Sequence, residues 1–250
     1  MHLALIRRTI RPMDMQDIIE SVDHFEARKA KYEPVARILH EVYGDLRWRQ
    51  GQSGMDELVS CILSQNTSDA NRDRGFEALK ARYPTWQAAV DAPTDELIDT
   101  IRSAGLANQK APRIQKALRR IYEERGAYNI DFLADLPMDE AKGWLTSLDG
   151  IGPKTAAIVL CFAYERPAFP VDTHIHRVSK RLGFLPEHIN AEKAHPIMEA
   201  IAPPDQYYQF HIHLIRHGRD TCNARKPKCE RCPLTEYCDY YANVVQKGKS

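Results

Sequence analysis

Four cysteines crowd into seventeen residues near the C-terminus, in CNARKPKCERCPLTEYC, as Cys222, Cys229, Cys232 and Cys238 with the spacing C-x6-C-x2-C-x5-C. Thiolates this close in sequence can close on one metal centre without distant partners, so the loop's shape is set by what it binds. In a chain with no export signal, such a cluster favours metal over disulfides. Four-cysteine zinc sites usually pair two C-x2-4-C knuckles, whereas here only Cys229 and Cys232 form a knuckle and the outer gaps are uneven. Uneven gaps, with Cys-Pro after the knuckle, suit a cubane with one cysteine per iron corner, a [4Fe–4S] cluster. A zinc ribbon or unrelated surface thiols are the alternatives. Cys61 and Cys161 lie in apolar helical patterns instead, where a thiol packs as a small hydrophobe.

Helical periodicity dominates the rest of the 250 residues. Met55, Leu58, Val59, Ile62 and Leu63 form an apolar face, Leu97, Ile98 and Ile101 a second ending at Gly105, and Ile114, Leu118, Ile121 and Tyr122 a third closed by Gly126. Convincing strand alternation is absent, and the expected fold class is all-α. Loop-like stretches at 43–54 and 164–172 flank a central helical block, 48–166. Residues 26–47 and 167–250 are expected to form a second helical lobe carrying the cluster loop, 222–238, with 1–25 as a flexible extension.

Lys+Arg (35) nearly balances Asp+Glu (34), which excludes a general polyanion binder. Any nucleic acid must be held by a local basic face, helix N-termini or backbone amides. The cluster loop supplies such a face: Arg216, Arg219, Arg225, Lys226, Lys228 and Arg231 stand against Asp220 and Glu230. A buried cluster would staple this loop so that it presents cations to phosphates; an ordinary solvated loop is the alternative. The N-terminal apolar patch is too short for a signal peptide, and the longest mostly apolar run is about half a membrane span. No membrane association, a cytoplasmic location (nucleoid-associated in a prokaryote) and a monomer are the expectations.

The segment LDGIGPKTAAIVL reads as a helix-hairpin-helix. Gly150 and Gly152 bracket Ile151, Pro153 suits the first position of the next helix, and exposed amides at that helix start can hold a phosphate. Lys154 falls in the first turn, where a cation faces the positive end of the dipole. It contacts phosphate, is solvated, or serves as a neutral amine nucleophile. Asp172, in VDTHIHRV, suits an N-cap, and a capping aspartate can also act in catalysis.

These two segments together resemble the endonuclease III branch of the helix-hairpin-helix DNA glycosylases. The resemblance spans nearly all of residues 31–240, through LSQNTSD (63–69), AGLANQKA (104–111) and HGRDTC leading into the cysteines. It implies a two-lobed fold with a C-terminal [4Fe–4S] loop, and a bifunctional glycosylase/AP lyase acting on oxidised pyrimidines in double-stranded DNA, or on its abasic sites. It implies Lys154 as the nucleophile and Asp172 as the carboxylate that steadies positive charge on the sugar. The nucleotide must leave the stack, and the resemblance implies a side-chain amide, Gln65 or Asn66, that faces the orphaned base. An ungapped alignment puts that position on Asn66, with Gln65 one place earlier, and either amide could serve. Leu106 matches the apolar wedge, and Gly150, Gly152, Thr155, Arg225, Lys226 and Lys228 complete the expected DNA contacts.

His174 and His176 are expected to pack or to touch phosphate, and FHIHLIRHG (210–218) reads as an apolar helical face with no second metal. Pro153 stands where the family commonly has a basic residue, and the N-terminal extension exceeds the family minimum, which weakens any carry-over of lesion preference. A thymine or uracil mismatch glycosylase is the alternative within enzymes. A non-catalytic Fe–S protein that binds DNA or senses redox state is the alternative outside them.

Overall fold

The computed structural model describes residues 17, 20–49 and 51–249, and every regular element among them is helical. Most of the extension expected over 1–25 lies outside the described residues. Its end does not: Val22 and Phe25 are buried, so the packed fold begins before residue 26. Two apolar side chains three residues apart suffice for this, too few to register as a periodic face.

Helices α1 (Phe25–Lys29) and α2 (Tyr32–Tyr43) precede the first crossing between lobes. Helix α3 (Gly54–Ser64) starts where Ser53 Oγ accepts the Asp56 amide at 3.1 Å. Its Leu58, Val59, Ile62 and Leu63 are fully buried, each stabilising the fold by ~1.5–3 kcal/mol relative to exposure. Helices α4 (Asp69–Arg82), α5 (Trp86–Asp91) and α6 (Thr94–Thr100) follow, and a 3₁₀ turn, Arg102–Ala104, separates α6 from Gly105. Helix α7 (Ala107–Arg125) buries Ile114, Leu118 and Ile121 and ends at Gly126, whose φ is 70°. Tyr122, expected on the same face, is 46% exposed and stacks on Tyr128 at 5.1 Å. It sits at the edge of the apolar stripe, where an aromatic can cover its neighbour and keep its hydroxyl wet.

Helix α8 (Met138–Thr146) and α9 (Pro153–Ile158) flank the hairpin turn, and α9 runs on into a π-helical turn, Val159–Ala163. Helices α10 (Thr173–Leu182), α11 (Ala191–Ile201) and α12 (Tyr207–Asp220) complete the second lobe before the cysteine loop. No helix among the described residues is long and apolar enough to cross a membrane.

Two hydrophobic cores result. One gathers buried residues from Met55 to Ala168; the other joins Val22, Phe25, Val35 and Leu39 to residues between Phe169 and Leu234. The chain changes core between Ala168 and Phe169, and this crossing is bolted down. Glu199 of α11 accepts the Phe169 amide at 3.1 Å and pairs with Lys142 of α8 at 2.7 Å. His195 Nδ1 donates to the Phe169 carbonyl at 3.0 Å. The residues that follow, Pro170 to Asp172, are thereby fixed relative to the hairpin.

Candidate active site and cluster loop

The hairpin turn between α8 and α9 is held from behind by α7. Lys116 pairs with Asp149 at 3.0 Å, and Arg120 donates to the Ser147 carbonyl and hydroxyl at 2.5 and 2.8 Å. Gly150 has φ +74°, and a Cβ there would lie 2.1 Å from Arg113 Nε. Both the backbone sign and the guanidinium therefore require glycine. Gly152 differs, because a Cβ there would meet nothing within 4 Å; it lies on the open side of the turn. No side chain caps α9, so its first amides keep their bonding capacity outward. Thr155, expected at the DNA surface, is buried with 7% exposure. One turn into α9 its side chain faces the core, which leaves only its backbone near the open side.

Lys154 is exposed beside that opening. Asp172 is half-buried and caps α10, its Oδ1 accepting the Ile175 amide at 2.7 Å. His211 of α12, 3% exposed, links the segments that carry them, with Nδ1 bonded to the Pro170 carbonyl at 2.9 Å and its ring edge-on to Phe162 at 5.4 Å. Burial pushes the His211 pKa down to about 4; the Asp172 charge opposes this shift and the Lys154 charge adds to it. Through these contacts His211 joins the segment just before Asp172 to the π-helical turn that continues α9, the helix carrying Lys154, at the seam between lobes. His195 is likewise lowered to about 4, by burial first. Burial thus favours the neutral form of both imidazoles, and each commits its Nδ1–H to a main-chain carbonyl.

The histidines after Asp172 are packed rather than poised. His174 Nδ1 meets Arg177 at 3.2 Å, and His176 Nε2 meets the Ile189 carbonyl at 2.8 Å. A buried thiol on α3, Cys61, contacts Glu57 through its Sγ at 3.5 Å. Burial raises the Glu57 pKa. Nothing in the periodic reading of α3 singled out Glu57.

The loop after α3 distinguishes Gln65 from Asn66. Gln65 is engaged at both ends of its amide: Nε2 donates to the Gly150 carbonyl at 3.0 Å and Oε1 accepts from Arg113 at 2.7 Å. Asn66 is exposed, in a left-handed conformation with φ 53°. Leu106 is also left-handed, φ 51°, and is 46% exposed, an apolar side chain held out to solvent. The two loops adjoin, since a Cβ on Gly105 would stand 4.0 Å from Thr67 Oγ1. Beneath them is Lys110, 1% exposed, donating to the Leu63 and Ala104 carbonyls at 2.7 and 2.8 Å. Sequence reading missed Lys110, although it continues the stripe of Ile114, Leu118 and Ile121 towards the helix start.

At the C-terminus the four half-buried cysteines line one cavity with Leu182, Pro227 and Tyr240. None is in a disulfide. Arg181 donates to Cys222 Sγ at 3.3 Å, the Tyr241 amide to Cys238 Sγ at 3.4 Å, and His217 Nε2 lies 3.7 Å from Cys232 Sγ. Among the described residues no three His, Cys, Asp or Glu side chains gather around a point suited to a single ion. All four sulfurs line the one cavity, and Cys222, Cys232 and Cys238 each have an N–H group beside them, which fits a cubane with one thiolate per iron. Arg225 and Lys226 are exposed on this loop. Lys228, expected beside them as a phosphate contact, has one of its three donors engaged by the Asp220 carbonyl at 2.8 Å. Arg219 pairs with Asp69 across the lobes at 2.8 Å.

Residues 59–204 match the family model for HhH-GPD superfamily base excision DNA repair proteins, and residues 222–238 match the iron-sulfur binding domain of endonuclease III. The endonuclease III of Thermotoga maritima is 34% identical over 184 residues, 74% of this chain and 82% of the relative. Among solved structures, a non-covalent endonuclease III–DNA complex superposes with a TM-score of 0.76 at 29% identity, covering 87% of this chain and 98% of the other. A trapped endonuclease III–DNA covalent intermediate gives a TM-score of 0.75, with the same identity and coverage.

Proposed function

The chain belongs to the endonuclease III family within the HhH-GPD superfamily of base excision DNA repair proteins and is a DNA glycosylase/AP lyase; from that premise we propose that it excises oxidised pyrimidines from duplex DNA, with Lys154 as nucleophile and Asp172 as the carboxylate that steadies the sugar. The observation that supports this reading is the packing of buried His211, which bonds the Pro170 carbonyl two residues before Asp172 and lies edge-on to Phe162 in the turn that continues the Lys154 helix, at a seam whose two walls come from different lobes.

Opening of the duplex comes first. Leu106 enters the base step and Asn66 occupies the space of the departed nucleotide, its amide meeting the orphaned base. Asn66 is favoured over Gln65 because both ends of the Gln65 amide are already engaged. The α9 amides and exposed Arg225 and Lys226 hold phosphates on either side. The lobes, 48–166 and 26–47 with 167–250, meet the DNA from two directions.

Chemistry then follows at C1′. The glycosidic bond breaks with its electron pair leaving on the base, and the Asp172 carboxylate stabilises the positive charge left on the sugar. Its Oδ1 is engaged by the cap, which fixes the carboxylate's orientation. The Lys154 amine bonds to C1′, loses a proton, and the sugar ring opens to a Schiff base. That imine acidifies the C2′ proton; its removal expels the 3′ phosphate by β-elimination, and water then frees Lys154. The [4Fe–4S] cluster on Cys222, Cys229, Cys232 and Cys238 supplies a rigid cross-link for the DNA-facing loop.

The test is a product assay on duplexes bearing thymine glycol, a G·T mismatch or an abasic site. Strand cleavage with a β-elimination end on the thymine glycol and abasic duplexes is expected. Excision confined to the mismatch would transfer the assignment to a mismatch glycosylase, and no cleavage of the abasic duplex would refute the lyase.

A further inference from the structure

We infer that α7 is the positioning element for duplex opening: Lys110 locks the Asn66 and Leu106 loops to each other, and Arg113 locks that pair to the hairpin. This rests on the reading of Asn66 and Leu106 as the inserted residues.

A lysine is an expensive choice for a site that is 1% exposed, because burying an ammonium forfeits its hydration. Both acceptors of Lys110 are main-chain carbonyls at places where elements stop. Leu63 is the penultimate residue of α3, and Ala104 ends the 3₁₀ turn before Gly105. One amine thus ties the chain three residues before Asn66 to the chain two residues before Leu106. Both target residues hold left-handed backbones, which a side chain other than glycine keeps only where the surroundings over-determine it. The shared tether, with Thr67 against Gly105, supplies that determination.

Arg113 stands one turn further along the same helix. It donates to Gln65 Oε1 at 2.7 Å while Gln65 Nε2 holds the Gly150 carbonyl at 3.0 Å. Its guanidinium also fills the space a Cβ on Gly150 would need. The wedge, the gap-filling amide and the turn that leads into Lys154 are therefore referenced to one helix. Opening the duplex and presenting C1′ to the amine become a single geometric event, and a displacement of ~1 Å between them is enough to cost ~10²-fold in rate.

The test compares a substrate that must be opened with one that has no stack. Lys110→Met removes both bonds and keeps an apolar filler of similar length. With the holoprotein, excision of thymine glycol from a duplex and the fluorescence rise of a neighbouring 2-aminopurine are expected to fall at least ~10-fold. Borohydride trapping on a single-stranded abasic oligonucleotide is expected to stay within about twofold of the parent. A parallel loss on both substrates would show a role in folding alone, and undiminished duplex excision would show no role; either overturns the inference. Should Lys110→Met fail to fold, Arg113→Met cuts the other tether and must show the same split, with the same two outcomes overturning it. Leu106→Ala and Asn66→Ala separate the layers. If both leave duplex opening unchanged, the insertion reading fails. If they impair it while Lys110→Met does not, only the positioning role fails.

Discussion

Asp172→Asn separates the two jobs of one carboxylate. As a cap, Oδ1 accepts the Ile175 amide at 2.7 Å, and asparagine caps about as well as aspartate. What the substitution removes at the helix end is an anion near the positive dipole, ~0.3–1 kcal/mol. Asp172→Ala removes the cap as well, a further ~1 kcal/mol. For a chain of this size ~1 kcal/mol moves the melting temperature by ~2–4 °C, so the asparagine variant should melt close to the parent and the alanine variant measurably below it. The catalytic loss is of another size. A half-buried charge about 4 Å from a cationic sugar, at an effective dielectric near 20, is worth ~4 kcal/mol. Removing one electrostatic stabiliser of a transition state typically costs ~10²–10³ in rate, and the two estimates agree. Single-turnover excision from a thymine glycol duplex, with melting curves on the same preparations, checks both. A rate for Asp172→Asn within about threefold of the parent would refute the charge argument. So would a rate that simply tracks the stability of the two variants.

Three further outcomes follow from the same geometry. Gly150→Ala places a methyl on Arg113 and forces φ +74° on a residue with a Cβ; urea unfolding should show a loss of ~1–3 kcal/mol, and Arg113→Ala should restore part of it by removing the clash but not the strain. Cys232→Ser should lower bound iron and visible absorbance together and expose 222–238 to limited proteolysis, whereas one zinc per chain in the parent would contradict the cluster assignment. The neutral buried His195 and His211, both held at about 4 against an ordinary value of ~6.5, bind protons more readily when unfolded. Their stabilising effect is complete above pH ~6.5 and is lost as pH falls through about 4, so the urea midpoint should drop steeply over that window while the cluster absorbance is still intact.

Much of this molecule can be read from its residues. The faces of α3 and α7 follow from period alone, because Leu58, Ile62, Ile114 and Leu118 each have one buried direction available. Asp172 as a cap and the cysteine spacing were equally plain, since each depends on neighbours close in sequence. The rest depends on contacts between distant segments. Choosing between Gln65 and Asn66 requires Arg113 and Gly150, which lie 48 and 85 residues from Gln65. Lys110 reads as a solvated charge until its helical register is taken more seriously than its type. Lys228 reads as a free cation until the loop folds back on Asp220, and Thr155 as exposed until the turn of α9 directs it inward. The π-helical turn at Val159–Ala163 has no mark in its apolar run, because the same residues would serve an ordinary helix.

The proposed chemistry turns on the Lys154 amine bonding to the sugar. Borohydride reduction of the protein on an abasic duplex, followed by proteolysis and mass mapping of the adduct, tests it most directly. One reduced adduct is expected, on the peptide that contains Lys154, and none in Lys154→Ala. An adduct that persists in Lys154→Ala, or that maps to another amine in the parent, would contradict it.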